Sequence, residues 1–278
     1  MTMRTRSIVV FTLLCIAAAL LLPVVPQSLE YHHFADRRDL LGIANFLDVV
    51  SNLGFLIVGI AGLVVVFGGR ARFEFGSERW PYAVFFLGAL LTALGSGYYH
   101  LAPDNESLFW DRLPMTIAFM GLVASQIVDR ISIQAGLALL VPMLLLGAAS
   151  VIYWQATERA GVGNVLPYGI LQGYSVIIVL LLAMLSPSRY TRGNDLYWVF
   201  GWYGLSKLLE TFDAEVLHLG SVVSGHTLKH IAAALAGFTV CYMLSHRTLK
   251  EPEAAQEPSG NASRVTAERV AEGVPPSR

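Results

Sequence analysis

Residues Ser132–Tyr153 read SIQAGLALLVPMLLLGAASVIY, and residues 165–185 read VLPYGILQGYSVIIVLLLAML. Neither stretch contains a charged residue, and each has about the 20 residues that a helix needs to cross a hydrocarbon core. Both are continuously apolar rather than alternating residue by residue, which selects helices over the strands of a barrel. Comparable blocks lie at about 7–25, 46–68, 81–101, 110–129, 195–212 and 226–245. The chain therefore reads as an all-α, polytopic membrane helical bundle, with a seven-helix core and an extra helix at the amino terminus.

Composition agrees. Of 278 residues 55% are hydrophobic and only 14% charged, too few to cover the surface of a water-soluble domain of this length. A formal net charge of −1 gives no basis for binding nucleic acid. The two cysteines, Cys15 and Cys241, sit inside apolar blocks, so neither a disulfide framework nor a thiolate metal site is indicated. No internal repeat is present, and nothing in the sequence bears on oligomeric state.

The expected organisation has three parts. Residues 1–28 form an amino-terminal transmembrane helix or signal anchor; its charged start resembles a signal peptide, but Pro23-Val-Val-Pro-Gln follows where a cleavage site would stand, so it reads as retained. Residues 29–248 form the seven-span domain. Residues 249–278, rich in Glu, Pro, Ser, Gly and Ala without apolar periodicity, read as a disordered cytoplasmic tail. Arg4, Arg6, Arg70, Arg72, Arg79, Arg130, Arg189, Arg192, Arg247 and Lys250 would then share one side. Only Arg37, Arg38, Arg112 and Arg159 would lie on the other, which places both termini in the cytoplasm.

Ionisable residues at the edges of these blocks are costly and mark candidate function. The third block ends Gly95-Ser96-Gly97-Tyr98-Tyr99-His100, the fourth opens Trp110-Asp111-Arg112-Leu113-Pro114, and the last opens Gly225-His226-Thr227-Leu228-Lys229-His230. Ser96 with His100, and His226 with His230, are four apart and share a helix face. Alternating topology brings all five groups to the outer level. Three neutral imidazoles suit zinc, and a fourth position open to water gives such a site catalytic character. Zinc lowers the pKa of that water to about 7. Asp111 could orient it or take its proton, and Ser96 could donate to an oxyanion. That set hydrolyses an amide or an ester. Plainer roles fit the same residues singly: Ser96 in Gly-Ser-Gly as a helix contact, Asp111 as a first-turn carboxylate, each histidine as a hydrogen-bonded interface residue. Lys207 and Glu210, three apart, read as an intrahelical ion pair, and Gly59, Gly62 and the glycines of the third block as packing contacts.

At these residues the chain resembles the alkaline ceramidase family, part of a wider group of seven-helix membrane hydrolases that includes the adiponectin-receptor-like proteins. The resemblance rests on Gly95-Ser96 with His100, on Asp111 followed by Leu113-Pro114-Met115, on His226 and His230, and on Asn45-Phe46-Leu47-Asp48-Val49-Val50-Ser51-Asn52. It covers about residues 30–245. It implies a zinc-dependent amidase acting on a long-chain lipid amide, with ceramide as the leading membrane substrate and a fatty acid and sphingoid base as products. His100, His226 and His230 would be the zinc ligands, with Ser96 and Asp111 flanking the reacting carbonyl. Two positions depart from the family: Arg112 stands where Glu is common, and Lys229 where an aromatic residue is usual. A lysine there would snorkel outward to lipid phosphate. Some members also bind calcium before the first core helix, where this chain has Asp36, Asp39, Asn45 and Asp48, interrupted by Arg37 and Arg38. Two further readings remain: a receptor or sensor with a structural zinc site, and a rhomboid-like intramembrane serine protease built on Ser96.

Overall fold

A computed structural model describes residues 3–251. Among them the chain is all helical, with two isolated bridges and no strand. The helices are α1 (Met3–Leu21), α2 (Phe46–Ser51), α3 (Leu53–Phe67), α4 (Arg79–Leu101), α5 (Asn105–Arg130), α6 (Ile133–Arg159), α7 (Leu166–Leu185), α8 (Asp195–Thr211), α9 (Asp213–Gly220) and α10 (Gly225–His246). Five segments are long and apolar enough to cross a membrane: 46–67, 76–101, 133–159, 166–185 and 225–246. That is what an integral membrane protein requires. The α5 helix carries Asp111, Arg112 and Asp129 along its length, and α8 has 17 residues, so neither meets that standard alone. Val141, Leu145, Leu146 and Ile152 stand exposed on α6, an apolar face suited to lipid.

Helix ends follow local chemistry. The amino-terminal helix stops at Leu21, short of the expected residue 25, because Pro23 disfavours helical backbone at the residue before it. Asp104 starts α5 by accepting from the Ser107 backbone N–H at 2.6 Å, while the Ser107 hydroxyl accepts from the Asp104 N–H at 3.0 Å. The Ser107 N–H holds the Asp104 carboxyl below the usual carboxylate range. Ser132 and Ser224 cap α6 and α10 through the N–H groups of Ala135 and Thr227.

The ends of α4, α6 and α8 lie beside the starts of α5 and α10, as the contacts of Gly95 with Trp110, Arg159 with Glu106, Gly225 with Leu209 and His100 with His230 show. Close approach there depends on glycine. A Cβ on Gly95 would lie 1.9 Å from the Trp110 carbonyl oxygen, so α4 and α5 touch backbone to backbone beside Ser96 and Asp111. A Cβ on Gly225 would meet the Leu209 carbonyl oxygen at 2.2 Å, which seats the start of α10 against α8. Gly59 and Gly62 likewise face Leu90 and Phe86 across the α3–α4 contact; Gly97 faces open space and packs nothing. The α1 helix lies on α7, where Phe11 stacks on Tyr174 with ring centroids 5.7 Å apart and Thr12 meets the Tyr174 hydroxyl at 3.2 Å. Most of the expected tail lies outside the described residues. Its first part does not hang free: Leu249 bridges to Tyr190, and the Lys250 N–H donates to the Arg189 carbonyl at 2.9 Å.

Candidate metal centre

The last turn of α4 presents His100, and the first turns of α10 present His226 and His230. All three side chains are buried, His100 to 1% exposure. The Nε2 atom of His100 lies 3.3 Å from that of His230 and 3.4 Å from that of His226, and one ligand nitrogen from each residue falls within 4.8 Å of the others. Zinc–nitrogen bonds of ~2.0–2.1 Å arranged tetrahedrally put ligand nitrogens ~3.3–3.4 Å apart, which matches the two spacings from His100, while His226 and His230 lie within 4.8 Å of each other. Three imidazole lone pairs directed at one point repel unless a cation lies among them; a metal ion satisfies all three together. Among the described residues this is the only cluster of three or more His, Cys, Asp or Glu side chains so placed.

The tautomer of one of the three histidines follows from its neighbours. The Ser51 hydroxyl donates to the Asp48 carbonyl at 3.0 Å, so at 2.7 Å from His230 Nδ1 it accepts the ring N–H. His230 then keeps its proton on Nδ1 and turns a lone pair on Nε2 toward the cluster. Asp48 is fully buried and accepts from the Thr227 hydroxyl at 2.5 Å, which joins α2 to the first turn of α10. Asp213 accepts from the His226 N–H at 2.7 Å and the Ala35 N–H at 2.9 Å. Phe34 covers the cluster, with its ring centroid 4.7 Å from that of His100 and 4.4 Å from that of His226.

Beside the histidines a cavity of about 430 Å³ opens between α4, α5, α7, α8 and α10. Ser96, Asp111 and His230 line it at the histidine end. Deeper in, its walls are apolar, among them Phe85, Phe119, Val179 and Phe200. Along α7 the lining runs from Tyr168 to Val179, about 16 Å of helix.

Comparison with known proteins found no family model that matches the chain, and no curated protein that matches it. The site therefore stands on its own geometry.

The structure brings together His100, His226 and His230, and sets Ser96 and Asp111 on the cavity that His230 lines. It does not gather the four residues proposed for calcium. Asp36 is taken by Arg38, whose Nε and Nη2 donate at 2.8 and 2.6 Å and hold its carboxyl below the usual range. Asp48 faces Thr227, and the Asn45 amide donates to the His100 carbonyl at 2.8 Å. Lys229 also differs from expectation. It turns inward to the cavity, not outward to lipid, because Glu210 draws it: Lys229 Nζ lies 2.6 Å from Glu210 Oε1, and Glu210 also pairs with Lys207. The expected intrahelical pair is thus one half of a three-residue network. Sequence reading missed Ser51, Asp48, Asp213 and Phe34 as supports of the cluster. Asp48 and Ser51 carried one signal, their i, i+3 spacing on one face at the start of an apolar block.

Proposed function

We propose that the chain is a zinc-dependent membrane amidase that hydrolyses the amide of a long-chain lipid such as ceramide, releasing a fatty acid and a sphingoid base. The observation that carries this reading is the placement of three converging imidazoles beside a deep apolar cavity whose polar end holds Ser96 and Asp111. Zinc bound by the histidines would polarise the amide carbonyl and activate an adjacent water. Asp111 would accept a proton from the attacking water and deliver it to the amine as the C–N bond breaks. Ser96 would donate a hydrogen bond to the carbonyl oxygen as negative charge develops there. The apolar depth would take the acyl chain, and the arginine and lysine bias would set the histidine end outward, with both termini in the cytoplasm.

The test is fatty acid release from a defined long-chain ceramide by the purified protein in nanodiscs. Hydrolysis should be lost on treatment with a zinc chelator and restored by zinc. Turnover that survives both chelation and His100→Ala would remove the reading. Near-complete burial of all three histidines favours, as a second reading, a receptor or sensor that keeps the metal as structure; metal content of one per chain with no turnover of any lipid amide would establish it. A rhomboid-like protease has less support, since among the described residues no hydrogen bond joins Ser96 to a histidine, the base that such a nucleophile requires.

A further inference from the structure

The cavity has a feature that amide hydrolysis leaves unused. Arg112, on the second turn of α5, is 5% exposed and lines the cavity beside Asp111. Its guanidinium carbon stands 4.3 Å from the Trp154 ring centroid, 5.0 Å from that of Tyr168 and 5.5 Å from that of Tyr31. Nη2 donates to the Gln27 side-chain oxygen at 2.5 Å, while Nη1 is buried and has no hydrogen-bond partner. No carboxylate forms an ion pair with Arg112 among the described residues.

Charges around the cavity sharpen the point. Arg112, Lys207 and Lys229 line it, against Asp111 and Glu210 alone. Glu210 is held by both lysines, and Asp111 forms no ion pair with Arg112 among the described residues. Arg112 is left as a buried cation with an open donor. Aromatic faces offset part of the desolvation cost of a guanidinium, but they supply no acceptor for Nη1. A planar, always-charged fork within aromatic walls is the usual receptor for a carboxylate or phosphate. Gln27, Tyr31 and Tyr168 place this receptor at the polar end of the cavity, so an anionic head there leaves the apolar depth to an alkyl chain.

We propose that the cavity selects lipids bearing an anionic group, a carboxylate or a phosphate, which docks on Arg112. Combined with the amidase reading, on which this part rests, the preferred substrate within the long-chain amides is one whose amine portion carries an acidic group, hydrolysed faster than neutral ceramide.

The test uses the full chain in phosphatidylcholine nanodiscs and two readouts. Binding is measured for tetradecyl phosphate, myristate and uncharged tetradecanol, none of which the proposed reaction consumes. Hydrolysis is measured for N-myristoylglycine against uncharged N-myristoylglycinamide. The better of the two anionic ligands should bind at least about 30-fold more tightly than tetradecanol, and whichever of phosphate and carboxylate is the tighter identifies the head. Arg112→Gln should bring the ratio to within about threefold of unity while tetradecanol binding is kept, and Arg112→Lys should fall between. Equal binding of anionic and neutral ligands by the unaltered protein overturns the proposal, whatever the variants do. Should Arg112→Gln lose all binding, the ratios in the unaltered protein and in Arg112→Lys decide. An Arg112-dependent anion preference without turnover of either amide removes the hydrolase reading and leaves this one standing. Equal turnover of both amides without an anion preference does the reverse.

Discussion

The two ends of the bundle both bury charge, and they handle it in opposite ways. Where α5 finishes, Arg130 gives Nη1 to the Ser186 carbonyl at 2.7 Å, Nη2 to the Gly193 carbonyl at 2.9 Å and Nε to Gln126 at 3.0 Å. Nearby, Glu78 takes the Tyr190 hydroxyl at 2.7 Å and pairs with Arg189, while Arg247 donates to the Tyr82 hydroxyl and stacks 4.0 Å from the Tyr190 ring centroid. Donors and acceptors there are used on one another. Among the described residues, His100 Nδ1, Arg112 Nη1, Asp48 Oδ2, Asn52 Oδ1, Trp154 Nε1 and Glu158 Oε2 are buried without a partner at the histidine end, against Arg247 Nη2 alone at the other end. Native interiors rarely leave such atoms unsatisfied. Their concentration at the histidine end, with Arg112 on the cavity itself, separates a closed structural network from a polar site with unused donors and acceptors.

Substitution should pull the two ends apart. The largest effect belongs to the ligands: His226→Ala should reduce metal content from about one ion per chain to under about a tenth, measured by plasma mass spectrometry on the purified protein. Arg247→Ala should leave metal content at one per chain and destabilise the fold by about 2–4 kcal/mol, through lost hydrogen bonds and ring contacts. Thermal unfolding checks it, and metal loss in Arg247→Ala would dissolve the contrast between the ends. Ser51→Ala should be milder. His230 would lose the acceptor that sets its tautomer, and metal affinity should fall about 10- to 100-fold with little change in melting temperature, as read by competition with a chromophoric chelator.

The smallest effect concerns Asp36, near the histidine end but part of neither network. Its carboxyl is held below its unfolded value of about 3.9 by Arg38. A depressed folded pKa adds stability that is present above the unfolded pKa and is lost as pH falls through the folded one. Asp36→Asn should therefore lower the melting temperature slightly at pH 6 and by less as pH falls below the unfolded value, and a shift that does not change with pH would show that charge is not the cause.

Much of the architecture was legible because lipid-crossing helices announce themselves as uninterrupted apolar runs. The block 132–153 became α6, which continues to Arg159 because Gln155, Thr157 and Glu158 are good enough helix residues to carry the last turn beyond the apolar stretch. The block 46–68 concealed a break at Asn52, where α2 gives way to α3, and nothing apolar marked α9 over Asp213–Gly220. In the site, the histidines were legible from i, i+4 spacing combined with alternating direction. Their supports were not. Ser51 meets His230 across 179 positions, and Asp213 reaches the Ala35 backbone across 178. Such pairings arise from how helices are packed, and no local pattern encodes them. Lys229 was misplaced for the same reason: its partner lies on another helix, 19 residues earlier.

Zinc K-edge X-ray absorption on the purified, zinc-supplied protein tests the metal centre most directly. The expected spectrum is a four-coordinate ion with imidazole scattering from three histidines and nitrogen or oxygen neighbours at ~2.0–2.1 Å, lost in His100→Ala. Zinc that fails to bind stoichiometrically, or an identical spectrum in His100→Ala, would contradict it.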